Sequence, residues 1–170
     1  MRKINWKTAI SVLAYAALII VLYFLQGVVF ARLPLFGAKP VLLLPAVVCV
    51  AMHGGTVRGG AFGIFAGVMC DVTFEQPAMM CTMLFVIIGV LAGMLAEGVL
   101  MRSFPAYVLM SAGALVIMGA VQMFPLLVYD GVGFMPLFFM MLKQLLSTMV
   151  FVIPVYYLCR LAAKVAYSAA

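Results

Sequence analysis

The fold of this chain is indicated by one apolar segment, Gly59-Gly60-Ala61-Phe62-Gly63-Ile64-Phe65-Ala66-Gly67-Val68-Met69-Cys70-Asp71. Glycine occupies every fourth position from Gly59 to Gly67, and Asp71 adds the next step of four. Residues four apart lie on the same face of an α-helix. Helices in lipid gain little from burying apolar surface against each other, so small residues that let two backbones approach mark a helix interface. The segment therefore predicts a helix packed inside a membrane bundle.

The next apolar segment repeats the arrangement, with Gly89, Gly93 and Glu97 again at steps of four. We expect the two glycine-lined helices to cross each other. The predicted helix-packing residues are Gly59, Gly63, Gly67, Gly89 and Gly93. Packing within the chain and a dimerisation face are both compatible with this pattern, and a crowded bundle favours the first.

The composition supports a membrane solvent for the whole chain. Of the 170 residues, 69% are hydrophobic and 8% are charged, against about 45–50% apolar and about 25% charged in soluble domains. The net charge of +6 comes from basic residues scattered at the ends of apolar segments, which is not the basic stripe of a nucleic-acid-binding protein. We predict one integral membrane domain over residues 1–170, an all-α polytopic bundle of about six transmembrane helices.

The spans are placed by taking about 20 apolar residues as one bilayer crossing. Charges, prolines and glycine clusters divide the chain into residues 8–30, 35 or 40–52, 57–72, 78–101, 105–129 and 136–159, followed by a basic tail. The first span is longer than the apolar core of a signal peptide, so we expect it to be retained. The two short spans between residues 35 and 72 could instead form a helical hairpin that does not fully cross.

The distribution of lysine and arginine predicts the orientation, because these residues prefer cytoplasmic loops. With the N-terminus inside, only Arg32 and Lys39 fall in an outer loop. The residues on the cytoplasmic side are then Arg2, Lys3, Lys7, Arg58, Arg102, Arg160 and Lys164. We therefore expect both termini in the cytoplasm, and hence an even number of membrane crossings.

Four ionisable residues near span ends are candidate contacts: Asp71, Glu97, Asp130 and Lys143. An ionisable residue near hydrocarbon is costly and suggests a function by default, although a position at a span end lowers that cost. Each could be an interfacial residue, a member of a helix-positioning ion pair, or a contact to a partner or ligand. Lys143 has candidate partners in Asp130 and Asp71, and a structural salt bridge is the favoured interpretation.

The residues needed for catalysis or metal binding are sparse. The four cysteines lie in different apolar segments without a CxxC motif, so they match neither a metal site nor a disulfide framework. His53 is the only histidine, and neither a nucleophile elbow nor a phosphate-binding loop with lysine is present. The fifteen methionines have no fixed spacing and fit flexible packing. We predict no catalytic, cofactor-binding or metal-binding residues.

The order of these features resembles a known family. Leu25-Gln26 closes the first helix, Pro34 and Pro40 precede a leucine run, the glycine helix ends in Asp71, and Ile88-Gly89-Val90-Leu91-Ala92-Gly93 follows. Over about residues 18–101 the chain is similar to MreD, the rod shape-determining membrane protein of bacteria, and the rest agrees in hydropathy and length.

This resemblance implies a non-enzymatic subunit of the cell-elongation machinery, which makes peptidoglycan and sets cell shape. The implied partners are MreC, the MreB cytoskeleton, the RodA glycosyltransferase and a penicillin-binding transpeptidase. It also implies an architecture similar to the substrate-binding subunits of energy-coupling-factor vitamin transporters.

Such a transporter subunit is the alternative function, because it shares length and helix number. Two features count against it. Its transport module recognises an Ala-xxx-Ala pattern on the first helix, whereas Ala9, Ala14, Ala16 and Ala17 include no two residues four apart. The predicted outer half also offers few polar groups for a ligand pocket.

The predicted topology is testable with reporter fusions. Fusions after Arg102 and at the C-terminus should report a cytoplasmic location, and a fusion after Asp130 should report an external one, because the basic residues then face the cytoplasm. An external C-terminus would contradict the even number of spans.

Overall fold

The computed structural model describes residues 6–29, 40–74, 80–98, 103–128 and 133–168. All regular structure in these ranges is helical, which confirms the predicted all-α class. The helices are α1 (Trp6–Phe24), α2 (Leu43–Gly54), α3 (Thr56–Phe74), α4 (Met80–Gly98), α5 (Phe104–Val128) and α6 (Phe134–Ser168). A π-helical turn, Leu25–Val29, continues α1.

Four of these helices are long and apolar enough to cross a membrane, as judged by length and composition: α1 with its π-helical turn, α4, α5 and α6. The protein is therefore a multi-pass membrane protein. The other two helices, α2 and α3, do not meet this criterion, each for a different reason. Helix α2 has only 12 residues, and α3 mixes its apolar residues with glycines and with the charged residues Arg58 and Asp71.

Helix α2 lies at the centre of the bundle. Every residue from position 41 to position 52 is buried, and α2 contacts all five other helices. A helix that is enclosed by protein does not meet lipid, so its apolar length need not match the thickness of the hydrocarbon. This buried position explains why the apolar segment of α2 is shorter than the length needed to cross a bilayer.

The start of α2 lies in the interior and takes its hydrogen bonds from other helices. The Val41 N–H donates to Thr148 Oγ1 of α6 at 3.2 Å, and the Leu42 N–H donates to Gln26 Oε1 at 2.9 Å. The Tyr107 hydroxyl of α5 donates to the Pro45 carbonyl at 3.3 Å. Because the first N–H groups of a helix lack intrahelical partners, the Thr148 and Gln26 side chains satisfy donors that lipid could not.

The helices alternate in direction along the chain. Gln26 at the end of α1 meets the start of α2, and Thr56 at the start of α3 meets Glu97 at the end of α4. The Phe104 ring at the start of α5 packs on Tyr156 of α6, with centroids 5.1 Å apart. Helix α1 therefore begins at the end of the bundle where α6 finishes. We call this the proximal end and the other the distal end.

The observed boundaries correct the predicted ones at the last helix. The sequence predicted that this helix ends at Cys159 and that a basic tail with Arg160 and Lys164 follows. Helix α6 instead continues to Ser168 over 35 residues. No glycine or proline interrupts residues 160–168, and alanine, leucine and lysine favour helix. The prediction was wrong because a change in polarity was taken for a helix end.

Candidate functional site

Helices α3 and α4 make the most extensive contact in the bundle, and the glycines of α3 lie in it. A Cβ added at Gly63 would lie 2.6 Å from the Phe85 carbonyl oxygen, and one at Gly67 would lie 2.5 Å from Thr82 Cα. Both distances are shorter than normal van der Waals contact. The backbones of the two helices therefore touch along this line, and a side chain here would force them apart.

The glycines of α4 complete the crossing from the other side. A Cβ at Gly93 would lie 2.5 Å from Thr56 Cα, and Gly59 and Gly89 each face the carbonyl oxygen of the other. All five glycines that the sequence assigned to helix packing thus lie between α3 and α4. The contacts are within the chain, which leaves these residues no free face for a second copy.

Asp71 closes the distal end of this helix pair. Its Oδ1 accepts the Cys81 N–H at 2.9 Å, and its Oδ2 accepts the Thr82 N–H at 3.0 Å and the Thr82 hydroxyl. Cys81 and Thr82 are in the first turn of α4, where N–H groups lack partners and the helix dipole favours negative charge. The carboxylate in the last turn of α3 therefore caps α4.

At the proximal end the roles of the two helices are exchanged, and Glu97 of α4 caps α3. Its Oε1 accepts the Thr56 N–H at 3.1 Å, and its Oε2 accepts the Thr56 hydroxyl at 3.2 Å. Thr56 is the first residue of α3, and Glu97 is in the last turn of α4. Each helix thus ends in an acid that caps the other helix through a threonine. We call this arrangement the reciprocal caps.

The turn between α2 and α3 depends on the same carboxylate. The turn residue, Gly55, has φ of +82°, which L side chains rarely adopt. A Cβ at this position would also overlap Glu97 Oε1. The backbone conformation therefore favours glycine at the single residue between α2 and α3, and a side chain there would also displace the Glu97 cap.

Lys143 does not join this site. Lys143 is exposed on α6, while both carboxylate oxygens of Asp71 bind α4. The expected Asp71–Lys143 ion pair is thus replaced by a helix cap, because α3 packs mainly on α4 and α2. Asp130, the other expected partner of Lys143, lies outside the described residues, as does Glu75.

Several interactions have no clear signal in the sequence. Gln26 and Thr148 bind the start of α2 from distant helices, and both are buried. The one hint in the sequence was that each is a polar residue inside an apolar segment, which does not reveal its partner.

His53 Nδ1 lies 2.9 Å from the Cys49 carbonyl oxygen, one turn back on α2. Among the described residues, no group of three metal-binding side chains is present.

Comparison of the chain with protein-family models, curated proteins and solved structures finds no match. The structural feature that bears on function is the geometry of the α3–α4 pair. This geometry is a close helix crossing with an acid–threonine cap at each end.

The close crossing predicts that substituting a glycine between α3 and α4 lowers stability, whereas substituting an exposed glycine does not. Gly63→Leu or Gly67→Leu should destabilise the bundle by about 1–3 kcal/mol or more, because overpacking moves the backbones apart. Gly113→Leu is the matched control, since Gly113 of α5 is exposed and a Cβ there meets nothing within 4 Å. Thermal unfolding in detergent measures the difference, and equal stability of all three variants would contradict the crossing.

The distal cap predicts that Asp71→Ala lowers stability by about 0.5–2 kcal/mol, the usual cost of losing a helix cap. Asp71→Asn keeps one acceptor oxygen and should lose less. Lys143→Ala should leave stability unchanged, because Lys143 is exposed and Asp71 is bound to α4. Equal losses in Asp71→Ala and Lys143→Ala would instead support an ion pair between the two.

Proposed function

We propose that this protein is a non-enzymatic membrane scaffold subunit of the bacterial cell-elongation machinery, as its resemblance to MreD implies. The observation that carries the proposal is the glycine helix ending in Asp71. Two of the segments that carry the resemblance are this helix and residues 88–93, and they pack against each other through Gly59 and Gly89. These two segments thus form one structural unit, which supports treating them as a single motif.

We further propose six membrane crossings with both termini in the cytoplasm of a bacterial cell. The alternating helix directions favour an even number of crossings. Arg58 and Arg160 lie towards the proximal end, next to the α2–α3 turn and near the end of α6. Basic residues at the end where α1 begins and α6 finishes agree with the preference of lysine and arginine for the cytoplasm. Helix α2 crosses as a short helix because the other helices enclose it.

A scaffold of this kind would bind partners through the outer faces of its helices. Large apolar side chains are exposed on every long helix, among them Leu13, Met83, Leu109 and Leu146. Lipid covers such faces by default, and the transmembrane helices of MreC, RodA or a penicillin-binding transpeptidase could replace it. MreB, as a cytoskeletal protein, would reach the proximal end.

The proposal predicts that the tagged protein, purified from a cell that contains its natural partners, recovers MreC and the elongation synthase. It should carry neither a vitamin nor a metal ion. Mass spectrometry of the co-purified proteins and of the denatured protein's small molecules measures both. An equally tagged, unrelated multi-pass membrane protein is the control for non-specific recovery.

A tightly bound vitamin in the purified protein, together with the absence of MreC, would contradict the scaffold. That result would support the substrate-binding subunit of a vitamin transporter instead.

A further inference from the structure

The four cysteines lie in two pairs that join different helices. The Cys70 thiol of α3 lies close enough to the Cys81 thiol of α4 to interact with it, and the Cys49 thiol of α2 interacts in the same way with the Cys159 thiol of α6. All four side chains are buried. Cysteine spacing in the sequence does not reveal these pairs, because each forms only when two helices pack.

The backbone around the first pair is held close by independent contacts. Asp71, the neighbour of Cys70, accepts the N–H of Cys81 at 2.9 Å. One turn earlier, Gly67 brings α3 so near to α4 that a Cβ there would lie 2.5 Å from Thr82 Cα. A disulfide requires two Cα atoms about 4.4–6.8 Å apart, and a close helix crossing supplies such separations. Cys70 and Cys81 are 1% exposed each, so both point into the crossing.

The two pairs lie towards opposite ends of the bundle. Cys70 and Cys81 lie beside the distal cap, whereas Cys49 precedes His53 by one turn and Cys159 precedes Arg160, towards the proximal end. In the proposed orientation the distal end faces the outside. Disulfides persist in oxidising compartments outside the cytoplasm and are rare within it. The two pairs therefore meet opposite redox conditions.

We propose that Cys70 and Cys81 form a disulfide that closes the distal end of the α3–α4 pair, and that Cys49 and Cys159 stay reduced. This inference rests on the orientation proposed above and is independent of the scaffold function. The disulfide closes a short loop over residues 70–81, which includes the connection between the two helices.

The oxidant is a disulfide-bearing oxidoreductase of the outer compartment. The Cys70 thiolate attacks its disulfide, forming a mixed disulfide and releasing one oxidant thiolate. The Cys81 thiolate then attacks the Cys70 sulfur, forming the internal disulfide and releasing the second oxidant thiolate. Two protein thiols are oxidised and one oxidant disulfide is reduced to two thiols. The exchange takes place while the helices assemble, because the packed pair is closed to an oxidant.

Counting thiols in the full-length protein tests the proposal. The protein is isolated from its native membrane in an excess of N-ethylmaleimide, denatured in detergent with fresh reagent, and weighed as an intact chain by mass spectrometry. We expect two maleimide additions without reductant and four when a phosphine reductant precedes labelling. Four additions without reductant would overturn the disulfide.

Single variants assign the bond without requiring the variant to be fully stable. Cys70→Ser and Cys81→Ser should each leave three reactive thiols, because the remaining partner is freed. Cys49→Ser and Cys159→Ser are the matched controls, and each should leave one reactive thiol. The reverse pattern would place the disulfide in the proximal pair, which would overturn both the proposal and the orientation while leaving partner binding to be measured separately.

Discussion

The fold depends on starting a helix inside the apolar interior. Helix α2 begins where lipid and water are both excluded, and an unpaired backbone N–H in such a place costs free energy comparable to a lost hydrogen bond. Gln26 and Thr148 supply the acceptors from α1 and α6, and Pro40 and Pro45 carry no N–H to satisfy. The position of α2 therefore fixes the depth of α1 and α6 relative to each other.

Helix α2 also connects two groups of helices that touch each other little. The α3–α4 pair forms one group and α1, α5 and α6 form the other, with sparse direct contacts between them. Helix α2 packs on both groups, and the Gly55 turn joins it to α3 beside the Glu97 carboxylate. The reciprocal caps and the glycine crossing stiffen the first group. Movement between the groups would have to repack the buried faces of α2.

The sequence predicted features that repeat at short range and missed those that depend on distant contacts. The glycine steps from Gly59 to Gly67 follow from helix periodicity, so the crossing could be expected from the residues alone. The cap that Asp71 forms on α4 could not be expected, because a carboxylate at a helix end can bind either a cation or a free N–H group. The cysteine pairs and the Gln26 contact also needed the packed helices, since their partners lie in separate segments of the chain.

The two acids of the reciprocal caps are engaged within the chain, and this limits how partners could be recognised. Asp71 and Glu97 bind threonines of their own bundle, so both carboxylates are already hydrogen-bonded within the chain. Lys143 differs, because it is exposed on α6 among apolar neighbours such as Met140 and Leu146. An ionisable residue on a membrane-facing surface is costly unless it reaches the interface or meets a partner. In the proposed scaffold, polar contacts to a partner protein would therefore be made by the face of α6 that carries Lys143. The other helix faces would contribute apolar contact area and shape complementarity.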